Sequence, residues 1–256
     1  MKPLFLVFSL LFFSSTALTG EFDNITWITE EYPPYNYVEN GATKGIAVEI
    51  LQEVWKELGI KKSVSDIKVY PWARGVNTIK NTPNTCLFAT TITQERTDKL
   101  GWKFISPIPQ IRSESNNHLI ALKSKNIRFN DASEIANFPG KFGVVRGDVG
   151  ASLLTEAGVG EKKQDPATDP LKLVKKLDAG RIDIISYSFD TTSTKMKEAG
   201  IDPTKYEVVF NFPPKPMGYA FHHNFNDDLL NKLQAALDKV TNSGKAAAIR
   251  EKYLDN

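Results

Sequence analysis

The stretch Cys86-Leu87-Phe88-Ala89-Thr90-Thr91-Ile92-Thr93-Gln94-Glu95-Arg96 decides the fold. Its first half is a short apolar run with a β-branched tail, which reads as a buried strand. Its second half opens a helix, with Thr93 as N-cap and Gln94, Glu95 and Arg96 as the first turn. A cation in that turn opposes the helix dipole at a cost of roughly 0.3–1 kcal/mol. The cost vanishes where an anion sits at the helix N-terminus, since the free N–H groups already attract one. Arginine's planar fork suits a carboxylate, because two parallel charge-assisted bonds fix distance and plane together. Two readings of Arg96 therefore stand side by side. It anchors a carboxylate, or it pairs with Glu95 or Asp98 or turns to water.

Upstream, Ile25 to Thr29 reads as a strand ending in the stiff aromatic loop Glu30-Glu31-Tyr32-Pro33-Pro34-Tyr35. Gly45 opens an amphipathic helix with Ile46, Ile50, Val54 and Leu58 on one face, and Gly59 stops it. Ile67 to Tyr70 is a second strand, leading into Pro71-Trp72-Ala73-Arg74 and a helix through Val76 and Ile79. Strands alternating with helices at this spacing predict a parallel α/β sheet. Ligands gather at the carboxyl ends of such strands. Here those ends carry Tyr32, Trp72 and Thr90 to Arg96.

Downstream, the rhythm breaks at the proline-rich Ile105-Ser106-Pro107-Ile108-Pro109 and restarts with a strand at His118 to Leu122. Lys141 to Val145 and Arg181 to Ser186 are further strands. Helices are expected over Val149 to Ala157, Leu171 to Leu177 and Thr191 to Ala199. A second proline-rich passage, Phe212-Pro213-Pro214-Lys215-Pro216, precedes a strand from Met217 to Phe221 and two closing helices. Two such crossings around an α/β unit predict a second lobe inserted in the first.

Composition narrows the function classes. Met1-Lys2-Pro3, an apolar run from Leu4 to Phe13, and Ser14-Ser15-Thr16-Ala17 form a secretory signal. The run is too short to span a bilayer, which needs about 20 residues. With 32 basic and 30 acidic residues, the charge balance gives no hint of a nucleic-acid or membrane-surface partner. Cys86 is the sole cysteine, so no internal disulfide can form. His222 and His223 adjoin on a strand, where neighbours point to opposite faces, which makes a poor metal chelate. No triad, metal cluster or catalytic carboxylate pair is visible, and no cofactor is expected.

The passage Thr90-Thr91-Ile92-Thr93-Gln94-Glu95-Arg96 resembles the T-x-T-x-x-R motif of solute-binding protein family 3, the periplasmic amino-acid receptors of ABC importers. Gly45 to Ile50 is similar to that family's G-F-D-x-D helix start, with Ala47 in place of the first acid. Gly180-Arg181-Ile182-Asp183 is similar to its G-x-x-D strand entry, and Gly143 to Asp148 to its G-V-x-x-G-T turn. The ending from Ser243 to Tyr253 also matches.

The resemblance implies an α/β, two-lobed periplasmic-binding-protein-like fold (type II), with the second lobe inserted in the first. Residues 1–20 would be the signal peptide, 21–110 and 213–256 the first lobe, and 111–212 the second. By the same resemblance Arg96 holds a ligand α-carboxylate, helped by the Thr91 hydroxyl and the main chain of Ala89. Tyr32 matches an aromatic that closes over the ligand, Tyr35 joins it as a ligand-binding candidate of the same loop, Trp72 sits near the opposite aromatic wall, and Gly147 and Asp148 approach from the second lobe. The acid that holds the α-amine in relatives falls here on Ser188, leaving Asp190 and Asp148 as substitutes. Asp148 and Asp190 also read as ordinary helix caps. The implied function is capture of an amino acid or related carboxylate, by a monomer, for an ABC permease or a membrane sensor. The rival from another class is a periplasmic cyclohexadienyl-dehydratase-like enzyme on the same fold.

Overall fold

The computed structural model describes residues 20–111 and 117–254, so the expected signal segment, save Gly20, lies outside the described residues. The chain forms two lobes, each built on a five-stranded sheet. In the first sheet the order is Lys68–Val69, Thr26–Thr29, Thr85–Thr91, Met217–Phe221, Lys103–Ile105. The first three run parallel, as expected. Met217–Phe221 runs antiparallel to both its neighbours. It re-enters directly from the second lobe with no crossover helix between, so nothing forces it parallel. The sheet is therefore mixed, with the late strand seated beside the Thr85–Thr91 strand. That placement makes the second lobe an insertion.

The second sheet has the order Tyr206–Asn211, His118–Leu122, Ile184–Tyr187, Phe142–Val145, Gln164–Ala167. Ile184–Tyr187 is central, parallel to Phe142–Val145 and antiparallel to His118–Leu122. Both sheets bury their central strands. Every residue of Thr85–Thr91, and likewise of Ile184–Tyr187, is buried.

The first long helix, Ile46–Leu58, buries Ile46, Ile50 and Val54 as its periodicity requires. Its start depends on Gly45, whose φ is 121°; a Cβ there would lie 2.4 Å from the Tyr35 carbonyl oxygen. Gly59 closes the helix in the left-handed conformation at φ 67°. Because Gly45 lets the helix start press on the Tyr32–Tyr35 loop, the Ala47 amide donates to the Tyr35 carbonyl at 2.9 Å. Trp27 and Trp55 meet edge to face at 5.3 Å and fill the core beneath.

Several elements escaped the sequence reading: the hairpin Tyr37–Glu39 with Ala42–Lys44, the strands Lys103–Ile105, Gln164–Ala167 and Tyr206–Asn211, and the helix Ala132–Asn137. One geometric expectation is overturned. His222 lies just past the strand that ends at Phe221, and the chain turns there, with the Phe225 amide donating to the His222 carbonyl at 2.8 Å. The His222 and His223 rings consequently face each other at 4.0 Å instead of pointing apart. Among the described residues no group of three or more potential metal ligands comes together. No described helix is long and apolar enough to cross a membrane.

Candidate functional site

The end of the Thr85–Thr91 strand is irregular in two ways, and both place Arg96. Pairing with Met217–Phe221 skips a residue: Thr90 faces Gly218 and Phe88 faces Tyr219, leaving Ala89 as a bulge. Ala89 adopts φ 56°, a conformation that costs an L-residue about 1–2 kcal/mol. The partner Gly218 is forced, since a Cβ there would sit 2.5 Å from the Ile105 carbonyl oxygen. Bulges of this kind re-aim the residues that follow.

The turn beyond is π-helical over Glu95–Lys99 rather than the expected α-helix. The Leu100 amide reaches the Glu95 carbonyl at 3.0 Å, and the Trp102 amide reaches the Arg96 carbonyl at 2.8 Å. The cap position falls on Gln94, which makes no side-chain cap bond. Thr93 keeps part of its expected role, its hydroxyl accepting from the Arg96 amide at 3.3 Å.

Arg96 is 6% exposed, so it does not turn to water. It forms no ion pair with Glu95 or Asp98. Among the described residues the one acceptor its guanidinium meets is the Thr91 carbonyl, 2.7 Å from Nη1. The rings of Trp72 and Trp102 lie 5.1 and 5.9 Å from its central carbon, close enough for cation–π attraction. Burial lowers its pKa from the usual value, while the charges of Asp148, Glu95 and Glu30 act the other way. An arginine nevertheless stays charged in a protein. A buried guanidinium with most of its N–H donors unused among the described residues has the chemistry to take an anion.

Above it lies a cavity of about 170 Å³, lined by Arg96, Trp102 and Lys80 from the first lobe and by Gly147, Asp148 and Ser152 from the second. The lobes touch across it. The Trp72 Nε1–H donates to the Gly147 carbonyl at 2.7 Å, and Gly147 turns at φ 76° to present that oxygen. The Thr191 hydroxyl donates to the Pro33 carbonyl at 2.7 Å, and Lys195 meets Glu31 at 3.2 Å. Asp148 caps the helix Val149–Glu156, taking the Gly150 amide at 3.0 Å. Burial raises its pKa, opposed by the Gly150 amide and by Arg96. Cap and site wall are thus the same residue.

The aromatic loop meets the second lobe. Tyr32 stacks on Tyr35 at 5.3 Å and meets Tyr187 of the second lobe edge to face at 5.6 Å. The Tyr35 hydroxyl accepts from the Ile111 amide at 2.9 Å, which ties it to the crossing rather than to the cavity. Thr91 contributes its carbonyl to Arg96, and Ala89 is buried within the bulge. Asp190 is the residue the structure does not bring to the others. It lines a separate cavity with Pro33, Pro34 and Lys197, and the helix Phe189–Glu198 is capped by Ser188 instead.

Two site residues escaped the sequence reading. Glu30 sits 6% exposed at the carboxyl end of Thr26–Thr29 and, with Trp72 and Tyr70, lines a neighbouring cavity of about 190 Å³. Its pKa is raised well above the ordinary 4.5, mainly by burial and then by Asp148, with Arg96 opposing. The rule that ligands gather at strand carboxyl ends could have found it. Tyr187 ends the central strand of the second sheet, 1% exposed, with no hydrogen-bond partner for its hydroxyl among the described residues. No sequence signal marks it within Ile184-Ile185-Ser186-Tyr187.

Comparison with known proteins gives a consistent picture. The profile of the bacterial extracellular solute-binding proteins, family 3, matches residues 25–256. No curated protein matches the chain. Among solved structures, a histidine kinase sensor domain with similarity to periplasmic binding proteins superposes with a TM-score of 0.74 at 18% identity, covering 91% of this chain and 97% of that one. The arginine-, lysine-, histidine-binding protein ArtJ from Geobacillus stearothermophilus gives 0.72 at 20% identity, covering 91% and 96%. An ancestral amino-acid-binding protein, AncCDT-1, a precursor of cyclohexadienyl dehydratase, gives 0.68 at 17% identity, covering 89% and 94%.

Proposed function

The chain belongs to the bacterial extracellular solute-binding proteins, family 3, and from that premise we propose that it captures an amino acid or related small carboxylate between its lobes. Arg96 carries the reading, as a buried guanidinium with a single acceptor among the described residues, at the floor of a cavity walled by both lobes. Arg96 takes the carboxylate, supported by Thr91 and the Ala89 bulge. Trp72, Tyr32, Gly147 and Asp148 enclose the ligand, and Tyr35 steadies the aromatic loop. Asp190 has no part in holding the ligand. Because the contacts across the cleft join groups of different lobes, ligand and lobe contacts together bias an open–closed equilibrium.

The lobes divide as 21–110 with 213–256, and 111–212. Residues 1–20 direct secretion to the periplasm and are removed. The monomer then presents its closed form to an ABC permease or a membrane sensor. Amino acids are the first class to test, since relatives of this fold bind arginine, lysine and glutamine. A ligand that binds only the native form stabilises it by about 2.7 kcal/mol at a hundredfold excess over Kd. A thermal-shift screen of amino acids, amines and small carboxylates is expected to give at least one hit bearing a carboxylate. Shifts with amines alone would remove the ligand from Arg96.

A second reading rests on Glu30, a buried carboxyl that holds its proton further up the pH scale than an ordinary glutamate. A neutral acid in a cleft is what a dehydration needs to protonate its leaving hydroxyl. Incubation with prephenate separates the two readings: binding without consumption is expected, and steady turnover would make the chain an enzyme.

A further inference from the structure

Two polar groups where the lobes meet lack hydrogen-bond partners among the described residues. The Tyr187 hydroxyl is buried with no hydrogen bond, a state that native structures rarely tolerate without a reason. The Glu30 carboxyl, also more than nine-tenths buried, makes no hydrogen bond or ion pair among the described residues. They come from facing strand ends, one in each lobe. Tyr187 packs its edge on Tyr32, two residues beyond Glu30. Glu30 shares its cavity with Trp72, whose ring lies 5.1 Å from the Arg96 guanidinium. The charges that Tyr187 faces are Glu30 first and Asp148 second.

The position where relatives are expected to carry an amine-holding acid is Ser188, and here it is spent on a cap: its oxygen takes the Thr191 amide at 3.4 Å. Asp190 lines another cavity. An amine in this cleft therefore finds no acceptor where the resemblance places one. Among the described residues two unengaged groups remain nearby, the Tyr187 hydroxyl one residue before Ser188 and the Glu30 carboxyl in the other lobe.

We propose that Glu30 and Tyr187 form an amine-holding subsite, so that the ligand carries a protonated amine beside the carboxylate taken by Arg96. This rests on the reading of Arg96 as the carboxylate anchor. An ammonium has three N–H donors and no acceptor. The Glu30 carboxylate and the Tyr187 phenol oxygen take two of them, and Asp148 adds negative charge on the second-lobe side. Arg96 takes the ligand carboxylate and the ammonium takes Glu30, which leaves Asp148 as the remaining acid beside the site.

The probes are L-arginine, L-lysine and L-glutamine, each with its Nα-acetyl derivative, titrated by calorimetry into the full mature chain. Wild type is expected to bind at least one parent about tenfold or more tightly than its acetyl form, the amine being lost as a charge-assisted donor. Tyr187→Phe and Glu30→Gln are each expected to lose about tenfold for the parent and to narrow that gap. The ligand-free Tyr187→Phe protein is expected to melt no lower than wild type, because the change removes a hydroxyl that had no partner. Unchanged parent affinity in both variants, with Arg96→Lys weakened, would overturn the subsite and leave the carboxylate anchor standing. A lowered melting point in Tyr187→Phe with the acetyl gap intact would make that hydroxyl structural and likewise overturn it. Failure of every probe to bind wild type would overturn both.

Discussion

Two strand-to-helix turns, one in each lobe, are built differently. In the first lobe Thr85–Thr91 bulges at Ala89 and runs into the π-turn Glu95–Lys99, which buries a full positive charge. In the second lobe Ile184–Tyr187 passes without irregularity into Phe189–Glu198. Ser188 caps that helix with its hydroxyl, and its carbonyl takes the Thr192 hydroxyl at 2.6 Å. The irregular turn departs from its hydrogen-bond ladder and holds an arginine that has one acceptor among the described residues. The regular turn satisfies itself and offers only a neutral phenol. Strain observed in a backbone is a reason to look there for function, and here it falls on the turn that carries the charge.

The contrast is broken most strongly at Arg96. Arg96→Ala leaves a ligand carboxylate buried without a partner, and removing one member of a buried charge pair costs about 3–5 kcal/mol. Carboxylate binding is expected to fall several hundredfold by calorimetry. The mirror change, Ser188→Ala, removes a cap and is expected to lower stability by about 0.5–2 kcal/mol, with affinity kept within about threefold. Equal losses of affinity at both positions would erase the distinction.

A smaller effect is expected where the lobes clasp. Trp72→Phe keeps an aromatic wall against Arg96 but deletes the N–H that bonds the Gly147 carbonyl. A net hydrogen bond is worth about 0.5–1.5 kcal/mol, so the closed form loses population and affinity falls by roughly two- to tenfold. Small-angle scattering of the ligand-bound protein reads the same change as a larger radius of gyration.

The smallest effect is on the empty protein. Glu30 has a folded pKa above its unfolded one, so its stabilising contribution is fully present below the ordinary glutamate range. It is lost as the pH rises through the raised folded value. Glu30→Gln is expected to match wild type in melting temperature at about pH 4 and to exceed it near pH 8. Asp148, shifted in the same direction, retains part of the slope. A variant that melts lower at every pH would show that Glu30 has a stabilising partner.

The parts of this molecule that were legible in sequence are those with strong local chemistry. Gly45 and Gly59 bracket a helix whose apolar period is unbroken, and the structure follows them. Arg96 was conspicuous as a cation in a first turn. Tyr187 was not, because Ile184-Ile185-Ser186-Tyr187 has the composition of any buried strand and a phenol there reads as packing. Glu30 reads as the first residue of the aromatic loop Glu30 to Tyr35, and only its place at a strand end distinguishes it. The π-turn and the bulge were hidden for a different reason. The bulge arises from pairing with Met217–Phe221, more than a hundred residues away, beside a Gly218 that has no room for a Cβ, and the π-turn is closed by local backbone bonds that no side-chain pattern announces. The His222–His223 geometry failed because the strand stops one residue too soon for alternation to apply.

The central claim is that the fork of Arg96, and not merely its charge, holds the ligand. Calorimetric titration of Arg96→Lys with the tightest carboxylate probe tests it most directly, alongside a melting curve of the empty variant. The expected result is an affinity at least about tenfold weaker, since lysine keeps the charge and loses the two parallel bonds, with the ligand-free protein melting close to wild type. Wild-type affinity in Arg96→Lys, or an empty variant that no longer folds while residual affinity is unchanged, would contradict the claim and make Arg96 a structural residue.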